Sequence, residues 1–157
     1  MAAAGKRGPG RPPRLNDVFV SRPVYLVTCT THNRRTLLAN NTVHEAFKGA
    51  AAKTGQFGNA VGRYVIMPDH LHFFIRIGGD GRLMTAVKYI KEVVSKSLQG
   101  QTGGSPVWQR GFFDHLLRSC ESYQEKWEYV RLNPVRAGLA TNADMWPLQG
   151  EIEAIAL

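Results

Sequence analysis

The sequence predicts a single α+β domain, and three observations carry that prediction. Residues 64–77, YVIMPDHLHFFIRI, read as two short strands joined by a turn. The segments 41–53 and 82–98 each carry an apolar stripe at helical spacing. A length of 157 residues is enough for one sizeable core.

The strand–turn–strand stretch organises the rest. Pro68 has no backbone N–H and a fixed φ, so Met67-Pro68-Asp69 suits a turn and not a central strand. Beyond it, Leu71, Phe73, Ile75 and Ile77 alternate with His70, His72, Phe74 and Arg76. A period of two places both histidines on one face. Neutral imidazoles so placed can hold one divalent cation. The same pair also suits a plain polar strand face, and the spacing does not decide between the two.

A formal charge of +8 points to a polyanionic partner, nucleic acid ahead of a membrane surface. Cys29 and Cys120 make no disulfide framework and fit as small buried residues in a reducing cytosol. No apolar run approaches the ~20 residues of a bilayer span. The N-terminus lacks the apolar core of a secretory signal, so a cytoplasmic location and no membrane partner are expected.

Residues 1–21 read as a basic arm. Lys6, Arg7, Arg11 and Arg14 stand among glycines and prolines that cannot build a core, so disorder in isolation is expected. The run PGRPPR resembles an AT-hook, in which prolines keep the chain extended and arginine enters a narrow minor groove. A non-specific basic tail is the other reading. Residues 22–140 form the expected domain, and 141–157 a peripheral tail.

Within the domain, residues 23–31 are β-branched and aromatic and predict the first strand. His32 to Arg35 make a polar exit, either contacting phosphate or simply solvated. A helix opens at Asn41-Thr42 and ends at Gly55 and Gly58, with His44 an ordinary helix residue. After the hairpin, Leu83, Val87, Ile90, Val94 and Leu98 form the stripe of a second helix. Lys88, Lys91 and Lys96 lie off that stripe, where they would line a DNA path or, with Glu92, form a solvated face. A strand is expected near 112–118, with Trp108, Phe112 and Phe113 in the core and His115 either structural or near a metal or phosphate. A third helix is expected from Ser122, with Glu125 completing a capping box. On it, Tyr123 and Trp127 are expected to pack, and Tyr129 and Asn133, four apart, share a face. Pro134 ends, bends or restarts this helix, and Asn133 would then also suit an N-cap.

Taken in order, MPDHLH, WQRGFFDH and EYVRLNPVRAGL resemble the HUH single-tyrosine transposases of the insertion-sequence type. The resemblance covers about residues 23–140 and points to the REP-associated tyrosine transposase branch, which acts on repetitive extragenic palindromes. It implies a ferredoxin-like antiparallel sheet with helices packed on it. It implies His70 and His72 as metal ligands, with Leu71 between them, Asn133 as the third ligand and Tyr129 as nucleophile. The wider family often has glutamine at that last position, so asparagine favours the REP-associated branch. The implied activity is Mg²⁺- or Mn²⁺-dependent cleavage and rejoining of single-stranded DNA at palindromes or hairpins, through a 5′-phosphotyrosine. Related transposases can work as dimers, so a homodimer is among the implied partners. The basic arm lies outside the family core. With Lys88 and Lys91 it would grip a hairpin stem through its phosphates.

Three rivals remain at this level. One is a non-catalytic DNA-binding protein derived from a transposase. Another is a hydrolase of the metallo-β-lactamase type, opposed by Phe74 and Ile75 where its Asp-His pair would stand. The third is a ferredoxin-like RNA binder, which would need exposed aromatics such as Phe74 on the sheet.

Overall fold

The computed structural model describes residues 22–156. The arm, and with it Lys6, Arg7, Arg11 and Arg14, lies outside the described residues. Five strands form one antiparallel sheet: β1 (Val24–Thr30), β2 (Ala60–Ile66), β3 (His70–Arg76), β4 (Phe113–Leu117) and β5 (Gln149–Glu151). Their order is β4-β1-β3-β2-β5. Helix α1 (Asn41–Lys53) joins β1 to β2, and α2 (Leu83–Ser97) joins β3 to β4. With strands β1 to β4 this is the expected ferredoxin-like arrangement.

Alternation divides the sheet into two faces. Tyr25, Val27 and Cys29 of β1 and Leu71, Phe73 and Ile75 of β3 pack with Phe47, Val87 and Ile90 of the crossover helices. Burial of that kind stabilises by roughly 1.5–3 kcal/mol per large side chain. Asn40 caps α1, its side chain accepting from the Val43 N–H. Gly58, at φ 79°, closes the turn that follows.

The opposite face receives α3 (Cys120–Arg131), which packs Tyr123, Trp127 and Val130 on Phe74, Leu26, Val65 and Met67. This helix starts earlier than the sequence predicts. Ser119, with extended backbone, is its N-cap and accepts from the Ser122 N–H at 3.1 Å. Ser122 therefore occupies the third helical position, and the box with Glu125 does not open the helix. A short α4 (Asn133–Arg136) follows.

Strand β2 also begins before the expected Tyr64. Gly62 and Arg63 together oppose Phe74, a bulge that breaks the alternation. Gly62 leaves room there, since a Cβ would lie 2.9 Å from Tyr123 Oη and 2.8 Å from Ile155 Cδ1 and would displace both side chains. The stretch expected as a peripheral tail supplies β5, which pairs with β2. Trp146 anchors it by donating from Nε1 to the Ile66 carbonyl at 3.0 Å. Cys29 is buried, its thiol pushed up to about 12 by burial. Cys120 is exposed, contrary to expectation, because it stands in the first turn of α3 beside the cap.

Candidate active site

His70 and His72 project from the face that carries α3, their ring centroids 4.9 Å apart. Each is held through Nδ1. His70 donates from Nδ1 to Asp69 Oδ1 at 2.7 Å, and His72 Nδ1 lies 2.8 Å from Thr28 Oγ1. The Thr28 hydroxyl can accept, which supports the tautomer that leaves the Nε2 lone pair free. Burial, then the charges of His70 and Arg136, push His72 down to about 3. Its imidazole is therefore neutral at neutral pH, the form that binds metals. Burial works to raise the Asp69 carboxyl, but the His70 bond and the Arg34 guanidinium, 3.4 Å away, hold it below its usual range.

Helix α3 brings the late motif to this place. Val130 is buried against Val65 and Met67, and Val65 is the cross-strand neighbour of His72. Tyr129, the preceding residue, is 64% exposed. Arg136 covers its ring, with Cζ 4.1 Å from the centroid, and donates from Nη2 to the Tyr129 carbonyl at 2.7 Å. The same guanidinium is one of the charges acting on His72. Arg136 thus holds the phenol and lies near enough for its charge to be felt at His72. Sequence reasoning missed it, although 129, 133 and 136 have the i, i+4, i+7 spacing of one helix face.

Leu132 keeps right-handed helical backbone and leads into α4, with Pro134 in the first turn. The helix therefore restarts. The cap position is Leu132, and no side chain caps α4, so Asn133 is not an N-cap. Its Nδ2 is buried without a hydrogen-bond partner, at a cost of about 1–3 kcal/mol unless a ligand satisfies the amide. Among the described residues no three His, Cys, Asp or Glu side chains converge to hold a metal. A carboxamide could join a metal beside the histidine pair only through its Oδ1, since Nδ2 is a donor.

Among the candidate lysines of α2, Lys88 and Lys91 differ. Lys88 is exposed. Lys91 donates to the carbonyls of Gly111 at 2.8 Å and Gln109 at 3.3 Å, while Trp108 Nε1 donates to the Lys91 carbonyl at 2.9 Å. Lys91 therefore ties the segment before β4 to the helix. Trp108 and Phe112 pack against the core as expected. Phe113 does not: it is 69% exposed, because alternation turns it away from Phe112 to the histidine face at an uncovered edge. His115 is also exposed. Phe74 is fully buried, 4.4 Å from Tyr123 centroid to centroid, so no RNA-stacking platform exists there.

This sheet, with a histidine pair on the face that carries a tyrosine helix, defines a class. Residues 19–130 match the family described as Transposase IS200 like, and the chain belongs to it. It is a tyrosine transposase, an enzyme of DNA cleavage and recombination. The REP-associated tyrosine transposase of Escherichia coli K12 is 24% identical over 131 residues, covering 82% of this chain and 76% of that protein. A solved REP-associated tyrosine transposase bound to a REP hairpin has the same fold, with TM-score 0.68 and 23% identity over 81% of this chain and 75% of that one. A Deinococcus radiodurans structure shares it at TM-score 0.53 and 17% identity, over 78% and 95% of the two chains. No described helix is long and apolar enough to cross a membrane.

Proposed function

We propose that this enzyme cleaves and rejoins single-stranded DNA beside a palindromic hairpin, with Tyr129 as nucleophile. The observation that supports the proposal is the helix that carries Tyr129: its Val130 packs on Val65, the cross-strand neighbour of His72, so an exposed phenol and two histidines with free Nε2 atoms belong to one sheet face. The hairpin is suggested by the relative solved with one.

Tyr129 Oη attacks phosphorus, and the bond from phosphorus to O3′ breaks. The phenol proton leaves, O3′ takes up a proton as the free hydroxyl of the upstream fragment, and the downstream fragment stays on the enzyme through its 5′-phosphate, as a phosphotyrosine. A 3′-hydroxyl from another strand reverses the exchange and restores the phenol, so no ATP is needed. His70, His72 and Asn133 would hold Mg²⁺ or Mn²⁺. When bound, such an ion polarises the phosphate and stabilises the charge that builds up on it. Asp69 and Thr28 orient the two imidazoles, and Arg136 restrains the Tyr129 ring. Lys88 and the arm residues Lys6, Arg7, Arg11 and Arg14 would grip the stem. A homodimer, with Tyr129 serving its own or its partner's histidines, fits the same chemistry. The cytoplasm is the setting such an enzyme requires.

The test is a labelled palindromic single strand incubated with the protein and Mn²⁺. A denaturation-resistant adduct should map to Tyr129, and Tyr129→Phe should bind the DNA without forming it. Cleavage by Tyr129→Phe at the wild-type rate would refute the assignment. Binding with no cleavage by the wild type would favour a non-catalytic DNA-binding protein derived from a transposase.

A further inference from the structure

Phe113 is an exposed aromatic side chain on the histidine face, 69% open to solvent. The register aligns Phe113 with Thr28, and Thr28 with His72, in one row across β4, β1 and β3. Antiparallel strands lie about 4.8 Å apart, so Phe113 stands about 10 Å from His72 along that row. Helix α3 covers the far end of β4, where Leu117 packs with Tyr123. It leaves the near end open, and β4 is an edge strand. A shallow groove of about 190 Å³ runs there, lined by Thr28, Thr30, Gln109, Arg110 and Phe113 among others. Arg110 is exposed and lines the same groove.

We infer that Phe113 is a stacking step for an unpaired base of the substrate strand, with Arg110 at the adjoining phosphate. The inference rests on the proposed reaction for its substrate and adds a residue that positions it. An exposed aromatic and a cation in one groove with a polar rim suit single-stranded nucleic acid, whose bases each offer a flat face. The protein's +8 charge suits the same ligand. A protein partner is a poor fit, since a stable interface needs about 800 Å² per side and the groove is only about 190 Å³, with Phe113 its one fully projecting ring and Phe112 turned toward the core.

The experiment compares binding of two hairpins in EDTA, one with a single-stranded tail and one blunt. Phe113→Ala should weaken the tailed hairpin about 5- to 150-fold, the range of one base–aromatic stack, and leave the blunt one unchanged. Phe113→Trp should restore tight binding. Walking an abasic site along the tail should find one position where wild type loses affinity and Phe113→Ala loses nothing more. Equal binding of the tailed hairpin by Phe113→Ala and wild type would overturn the inference, as would equal losses on both hairpins or no coupled abasic position. Because no cleavage is read, coupling in a protein that forms no Tyr129 adduct would sustain the stacking site and sink only the nucleophile.

Discussion

Removing the Arg136 guanidinium should slow formation of the Tyr129 adduct without loosening the hairpin. Two contacts would go: the stack on the phenol ring at 4.1 Å and the bond to the Tyr129 carbonyl at 2.7 Å. An exposed cation–π contact contributes about 0.5–1 kcal/mol, and a hydrogen bond about 0.5–1.5 kcal/mol net. Together they restrain the ring by about 1–2.5 kcal/mol, which at about 1.36 kcal/mol per tenfold is a 5- to 70-fold effect on rate. Both contacts exist before DNA arrives, so the loss belongs to the chemical step. The assay is the single-turnover rate of adduct formation at saturating hairpin for wild type, Arg136→Lys and Arg136→Ala, with Kd and Tm measured separately. Arg136→Lys keeps a cation but lacks the planar fork, and should fall between the other two. Arg136→Ala reacting at the wild-type rate when saturated, with only its affinity reduced, would make Arg136 a phosphate contact and refute the positioning role.

Thr28→Val keeps the side-chain shape but removes the hydroxyl beside His72 Nδ1. It should weaken Mn²⁺ binding, followed by calorimetric titration, about 10- to 100-fold with Tm nearly unchanged. Lys88→Ala should reduce the slope of log K against log salt for hairpin binding by about 1. Lys91→Ala should instead lower Tm and leave that slope alone, because its ammonium is committed to the Gln109 and Gly111 carbonyls. His44, half-buried beside Tyr64 Oη at 2.7 Å, is held below its ordinary value of 6.5 by burial first and Lys48 second. A depressed value means its contribution is complete above pH 6.5 and declines as pH falls below it. Wild type should therefore lose stability against His44→Gln between pH 6.5 and 5 in urea titrations.

Much of this fold was legible because its elements obey one period each. Strand β3 alternates without interruption over His70–Arg76, and the stripe of α2 runs unbroken from Leu83 to Leu98, so both were located within a residue or two. The errors fall where tertiary contacts replace local pattern. Gly62 and Arg63 hide the start of β2 because a bulge is set by the partner strand. Strand β5 has only three residues and no alternation, and exists because β2 offers it an edge. Among the site candidates, the histidine spacing and the 129–133 spacing could be read from periodicity. Arg136 could have been added by the same count. The exposure of Phe113 could not, since Phe112 and Phe113 are chemically alike and only the sheet decides which one faces the core.

One pattern in the sequence does carry information about where the site opens. Along β3 the residues of this face run His70, His72 and Phe74, from polar to apolar, before Arg76 ends the strand opposite Val24. Along β1 they run Val24, Leu26, Thr28, Thr30, in the reverse order. The antiparallel register pairs Thr30 with His70, Thr28 with His72 and Leu26 with Phe74. Polar therefore meets polar at one end of the face and apolar meets apolar at the other. Only the apolar end can bury a helix at a gain, and there α3 lays Tyr123 and Trp127. Val130 is the last buried residue of α3, and the helix runs out beside the histidines with Tyr129 exposed. A register slip of one residue would turn both histidines into the core. A slip of two would set Leu26 against His72 and remove the hydroxyl that orients its ring. The pairing that seats the helix is thus the same pairing that leaves the imidazoles uncovered, which is why packing and chemistry share one face without competing for it.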